Sequence, residues 1–196
     1  MASPEVHLSK VVQRAKAIAT LLLATALSSA TPALARQNQT APLDPEAKLA
    51  ALGIQLAAPS PPLANYVKAV RAGNLVFLAG HGPVKPTGDF ITGTVGRELT
   101  IEQGYDAARL TAIGLLSTLK AEIGDLGKVK HIVRLFGLVN CVDRFTEHPK
   151  VINGASDLLV EVFGERGRHA RAAVGAASLP FNIAVEIEMI VEVTGD

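Results

Sequence analysis

The chain of 196 residues reads as an α+β domain, with helices laid on one face of a mixed sheet. Three observations point there. Two stripes of apolar residues at steps of three and four mark amphipathic helices over 105–123 and 152–163. Aliphatic and β-branched runs at 75–79, 129–140, 170–177 and 183–193 mark strands around them. In the last run, Val185, Ile187, Met189, Val191 and Val193 alternate with Glu186, Glu188, Ile190 and Glu192. One face of that strand is therefore apolar and the other carries carboxylates.

Composition agrees and excludes several alternatives. Hydrophobic types make up 48% and charged types 19%, enough for a core without disulfide or metal staples. With no Trp, 2 Tyr and 6 Phe, the core is aliphatic and rows of base-stacking aromatics are absent. The net charge is +1, and the part after residue 35 sits near neutrality, which does not suit strong binding to a nucleic-acid backbone. The single cysteine, Cys141, excludes an intrachain disulfide and a multi-cysteine metal cluster.

Residues 1–35 have the order of a signal peptide. A basic stretch (KVVQRAK, 10–16) precedes an uncharged apolar run of 11 residues (17–27) and the small-residue end Ala33-Leu34-Ala35. That run is shorter than the ~20 residues a spanning helix needs. The expectation is export to a periplasm or the exterior, with cleavage before Arg36 and no membrane attachment afterwards; an uncleaved anchor or a cytoplasmic leader is the alternative. Residues 36–45 read as a polar linker, and 46–196 as the domain.

Within the domain, 46–53 predicts two helical turns ending at Gly53, followed by a stiff Pro-rich connector at 58–62. Tyr66 to Val70 leads into the turn Gly73-Asn74, and Leu75–Ala79 predicts a strand covered on both faces. A further short strand is expected near 90–95. Thr100-Ile101-Glu102-Gln103 has the form of a capping box opening the first long helix, which Gly124 closes. Residues 129–140 predict a buried interior strand. Pro149 stands near the start of the second long helix, where a missing amide donor is harmless, and Gly164 ends that helix. Strands 170–177 and 183–193 are read as a hairpin. The outer face of the sheet is too apolar to be left in water, so self-association is expected.

No G-x-S-x-G, H-E-x-x-H or phosphate-binding loop occurs, and histidines 7, 81, 131, 148 and 169 lack ligand spacing. Arg171 is conspicuous in a strand otherwise built of small and apolar residues. A guanidinium in a sheltered place needs a carboxylate, from the protein or from a ligand. Glu186 on the facing strand is the internal candidate, and spacing alone leaves a structural ion pair and a ligand clamp both open. Arg168 and His169 read as loop-surface residues.

The stretch Arg171 to Pro180 (RAAVGAASLP), followed by Val185-Glu-Ile-Glu188, resembles the C-terminal signature of the reactive intermediate deaminase family, RidA or YjgF-like. Tyr66–Val70, Gly73–Gly80, Gly104-Tyr105 and Asn153–Asp157 fit the same family in order, over about residues 46–193. NGASDLLVEVFG (153–164) resembles the branch described as L-PSP endoribonuclease-like. The resemblance implies a chorismate-mutase-like fold, a homotrimer with clefts between subunits, and hydrolysis of enamine or imine intermediates to 2-oxo acids and ammonia without metal or cofactor. It implies that Arg171 clamps the substrate carboxylate and Glu186 activates water, with Tyr66, Gly80, Asn153 and Ala173 lining the cleft. Ala173 stands where the family commonly has Cys, His81 where Gln is frequent, and Leu63-Ala64-Asn65 where Gly-Pro usually precedes the Tyr. A trimeric binding protein for small carboxylates and, less in keeping with the charge, an endoribonuclease are the alternatives.

Overall fold

The computed structural model describes residues 44–195. The leader, and the linker up to residue 43, lie outside them. Asp44 and Pro45, read above as the end of the linker, instead open the first helix. Asp44 accepts hydrogen bonds from the amides of Glu46 (2.9 Å) and Ala47 (3.3 Å), and Pro45 begins α1, Pro45–Ala51.

Strands β1 (Ala69–Ala72), β2 (Leu75–His81), β3 (Val129–Asn140), β4 (Ala170–Ala176) and β5 (Val185–Val193) form one sheet in the order β1-β2-β5-β3-β4. All pairings are antiparallel except β3 with β4, which is parallel. The long helices α2 (Ile101–Ile123) and α3 (His148–Phe163) cover one face, which bears out the mixed α+β architecture. None of the described helices is long and apolar enough to cross a membrane.

Local chemistry explains the elements. Thr100 and Gln103 cap each other reciprocally at the start of α2, and Gly124 ends it at φ 82°. The α2 stripe Ala108, Ala112, Leu115, Leu119 and Ile123 is buried, as is the α3 stripe Ile152, Ala155, Leu159, Val162 and Phe163. Val185, Ile187, Met189, Val191 and Val193 meet these helices from β5. Two glycines set how deeply α3 sits. A Cβ at Gly154 would overlap the Tyr105 carbonyl of α2, and one at Gly137 of β3 would lie 2.6 Å from Ile152.

Three expectations are corrected. Residues 90–95 form only isolated bridges, because Gly93 (φ 122°) and Gly96 (φ 91°) interrupt the extended run. β2 is covered on one face only: Phe77, on the other, is 41% exposed. Most consequentially, β4 and β5 are not a hairpin, since β3 lies between them. The connection through Pro180–Asn182 carries β4 past β3, and buried Asn140 at the end of β3 holds it by donating to Asn182 Oδ1 (3.0 Å) and the Ile183 carbonyl (3.2 Å).

His81 turns into the helix-covered face. Its Nδ1–H donates to the Ala79 carbonyl (2.7 Å) and Nε2 accepts from Thr118 (2.8 Å). Burial, followed by the charge of Lys68, holds its pKa below the ordinary 6.5, against the pull of the Ala79 carbonyl.

Two predictions follow from this packing. Gly154→Ala must push α2 and α3 apart, because the obstacle is backbone; a loss of about 1–3 kcal/mol is expected in denaturant unfolding. His81 binds a proton less readily when folded than when unfolded. Its stabilising share is therefore present above pH 6.5 and lost as pH falls below it. His81→Gln should flatten that part of the acid-side fall in melting temperature.

Candidate functional site

The face of each residue on β4 is decided by its partner on β3. Arg171 pairs with Leu135, Ala173 with Gly137 and Val174 with Leu138. Leu135 and Gly137 are buried beneath the helices, so Arg171 and Ala173 share the helix-covered face at the sheet's edge. Asn153, one turn into α3, lies directly above. Arg171 Nη1 donates to Asn153 Oδ1 (2.8 Å) and to Ser156 Oγ (3.0 Å). Both acceptors are neutral, and Arg171 forms no ion pair among the described residues.

Glu186 lies elsewhere. It pairs with Leu138, three residues along β3 from Leu135, and faces away from the helices. Two strand spacings across and three residues along put it about 14 Å from Arg171 at backbone level. The two are therefore not an internal ion pair. The carboxylate of Glu186 rests against Gly80 of β2, where a Cβ would overlap Oε1. The irregularity in β2 between Leu78 and His81 makes this room. Half-buried and beside Glu188, Glu186 has its pKa raised above 4.5, chiefly by loss of solvent and secondarily by the neighbouring charge. Tyr66, 44% exposed, precedes β1 near the Gly80 end of β2.

The six predicted residues thus fall into two groups of three. Arg171, Asn153 and Ala173 stand at the β4 edge on the helix face. Gly80 and Glu186 meet on the bare face between β2 and β5, and Tyr66 precedes β1 beyond the Gly80 end of β2. A groove of about 560 Å³ between α1 and the turn after α2 contains none of the six.

Two residues that the sequence reading passed over belong to the first group. Ser156 is one helical turn beyond Asn153. His169 is not a free surface residue: its Nδ1–H donates to the Gly167 carbonyl (2.7 Å) and its Nε2 faces Ser156 Oγ at 3.0 Å. The available signal was spacing, with 153 and 156 on one helix face and 169 and 171 on one strand face. Arg168 is exposed and pairs with Glu165 at 2.9 Å, as expected of a surface residue.

Cys141 lies 3.4 Å from His148 over Gly175, in a groove of about 250 Å³. Burial raises the pKa of its thiol, which keeps it protonated at neutral pH.

Comparison with known proteins identifies the family of the fold. Residues 46–193 match the model of the YjgF/chorismate-mutase-like endoribonuclease family. Protein TCP17 of Trypanosoma cruzi is 46% identical over 147 residues, covering 74% of this chain and 92% of that protein. A 2-iminobutanoate/2-iminopropanoate deaminase of Dermatophagoides farinae is 30% identical over 131 residues, covering 66% and 87%. The crystal structure of protein Atu1372 from Agrobacterium tumefaciens superposes with a TM-score of 0.72 at 45% identity, covering 76% and 92%. The family match spans every strand and both long helices, so the chain belongs to the YjgF/chorismate-mutase-like family, within which RidA-type proteins fall.

Proposed function

We propose that the chain is a RidA-type deaminase that hydrolyses imines of 2-oxo acids at sites shared between subunits of a homotrimer. The observation that carries this reading is the state of Arg171. Its guanidinium is pinned by two neutral acceptors and has no carboxylate partner among the described residues, which is the condition of a clamp awaiting a ligand carboxylate. The mite deaminase relative supports the same chemistry.

Arg171 and Glu186 are too far apart, and on the wrong faces, to serve one small substrate from one chain. Two copies resolve this. The β4 edge of one subunit would supply Arg171, Asn153 and Ala173, and the bare face of the next would supply Glu186, Gly80 and Tyr66. Val70 (52% exposed), Phe77 (41%) and Val174 (41%) give the bare face the apolar area that such packing would cover. Self-association and catalysis then depend on the same surface.

In the reaction, the guanidinium holds the carboxylate and so fixes the imine carbon. Glu186 takes a proton from water as the water oxygen bonds to that carbon. The C=N electron pair moves to nitrogen, which gains a proton. In the resulting carbinolamine the hydroxyl gives up its proton and the amino nitrogen gains one as the C–N bond breaks, releasing ammonia and the 2-oxo acid. A carboxylate whose pKa is raised by burial is a stronger base than one in water, which suits this role. If Glu186 serves only to orient ligand, the protein is instead a trimeric carboxylate-binding protein. A match to a family described by endoribonuclease activity keeps RNA cleavage as the outcome to test against.

For the N-terminal segment, export remains our proposal: N-terminal sequencing should find Arg36 at or near the start of the mature protein, and intact Met1 on cytosolic protein would refute it.

Ammonia release from imines generated in situ tests the site. Arg171→Ala should raise KM about tenfold or more, from loss of a charged pair worth about 1.5–3 kcal/mol. Arg171→Lys should fare little better, lacking the planar fork. Glu186→Gln should lower kcat by about 10²–10⁴ with KM nearly unchanged. The wild-type kcat should rise with pH through a window above 4.5, as Glu186 loses its proton, and the variant should lack that rise. Co-assembly distinguishes a shared site from two separate ones. Trimers mixed equally from Arg171→Ala and Glu186→Gln chains should regain about one quarter of wild-type activity, because some interfaces then carry both native groups. A site within one chain would regain none.

A further inference from the structure

The hydrogen bonds around Arg171 have only one consistent set of donors. His169 Nδ1 faces the Gly167 carbonyl at 2.7 Å, so Nδ1 carries the proton and Nε2 is an acceptor. Ser156 Oγ, 3.0 Å from Nε2, must then give its proton to His169. That leaves its lone pairs for Arg171 Nη1, also at 3.0 Å. Nη1 has two hydrogens, and Asn153 Oδ1 takes the other at 2.8 Å. The Nη1 end of the guanidinium is saturated. The Nε–Nη2 edge is left as the pair of parallel donors that can grip a carboxylate.

We propose that Ser156 and neutral His169 are positioning residues for Arg171, holding its guanidinium so that the Nε–Nη2 edge meets the ligand carboxylate side-on. This rests on the reading of Arg171 as the carboxylate clamp. It adds two residues and a direction of approach to it, and gives ligand binding an acid limit that has nothing to do with Glu186.

The acid limit follows from the same geometry. An imidazolium would point a second N–H at Ser156, whose hydroxyl proton would have no acceptor in the relay. It would also put a positive charge beside Arg171. The charged and titratable groups around His169 oppose that protonation or leave it unaided. Arg171, two residues on at the start of β4, and His131 on β3 repel the extra charge, while α3 presents neutral Asn153 and Ser156. In the turn before β4, Glu165 is engaged by Arg168 at 2.9 Å. Burial leads these effects, so the His169 pKa lies below 6.5, although the Gly167 carbonyl pulls the other way.

The test is direct binding of 2-oxobutanoate to the full chain, by titration calorimetry between pH 5 and pH 8, with no turnover required. Wild-type affinity should fall toward the acid end as His169 protonates. Ser156→Ala should weaken binding about five- to tenfold at pH 8 and leave the melting temperature near that of wild type. His169→Gln keeps an acceptor for Ser156 and cannot become charged. It should bind like wild type at pH 8 and hold that affinity at low pH. His169→Phe should behave as Ser156→Ala at pH 8. If Arg171→Ala abolishes binding while Ser156→Ala and His169→Gln retain wild-type affinity and pH dependence, the positioning relay is refuted and the clamp stands. If wild type does not bind the probe, or Arg171→Ala binds it as well as wild type does, the clamp itself is wrong and the relay falls with it.

Discussion

How closely α3 approaches the sheet governs the candidate site. Asn153 and Ser156 reach Arg171 because the helix that carries them is seated closely against β3 and α2 at two glycines. Gly154 lets its backbone meet that of α2, and Gly137 leaves Ile152 a hollow in the sheet. Around these contacts the buried stripe from Ile152 to Phe163 fixes the rotation of the helix. A helix held at ordinary distance would leave the guanidinium reaching for water. The packing of small residues and the positioning of a charge are thus one device.

The electrostatic consequence is an asymmetry within each subunit. A guanidinium, held by neutral acceptors, stands at one edge of the sheet. A half-buried carboxylate with a raised pKa lies against Gly80 on the opposite face. An internal ion pair would have neutralised both and would have added little stability after desolvation. Kept apart, each retains a capacity: one to bind an anion, the other to take a proton. The cost is that neither can act on a small molecule alone.

That cost is met at the level of assembly, in our proposal. The helices cover one face of the sheet, and the other keeps Phe77, Val70 and Val174 in contact with solvent in a lone chain. Burying those residues against a second copy is favourable in itself. It also offers the β4 edge of one subunit to the Glu186 face of the next.

The sequence by itself determined the elements whose signals are local. The capping box at Thr100, the glycines at 124 and 164, and the two apolar stripes all report on neighbours within a few residues. The alternation from Val185 to Val193 showed which of its residues face the core, because a strand's two faces differ by parity alone. Arg171 and Glu186 were legible as the chemically unusual residues, and motif resemblance supplied their family. Strand adjacency was not legible. Two strands read as joined by the five residues 178–182 look like a hairpin, yet β3 lies between β4 and β5, and hydrogen bonding between strands distant in sequence decided that. The orientation of β4 was also open, since Ala170, Ala172, Ala173 and Gly175 give it no apolar face to bury. Only the parallel register with β3 turned Arg171 toward α3, separated it from Glu186, and set Ser156 and His169 behind it. Periodicity tells which residues share a face, whereas only packing tells what that face meets.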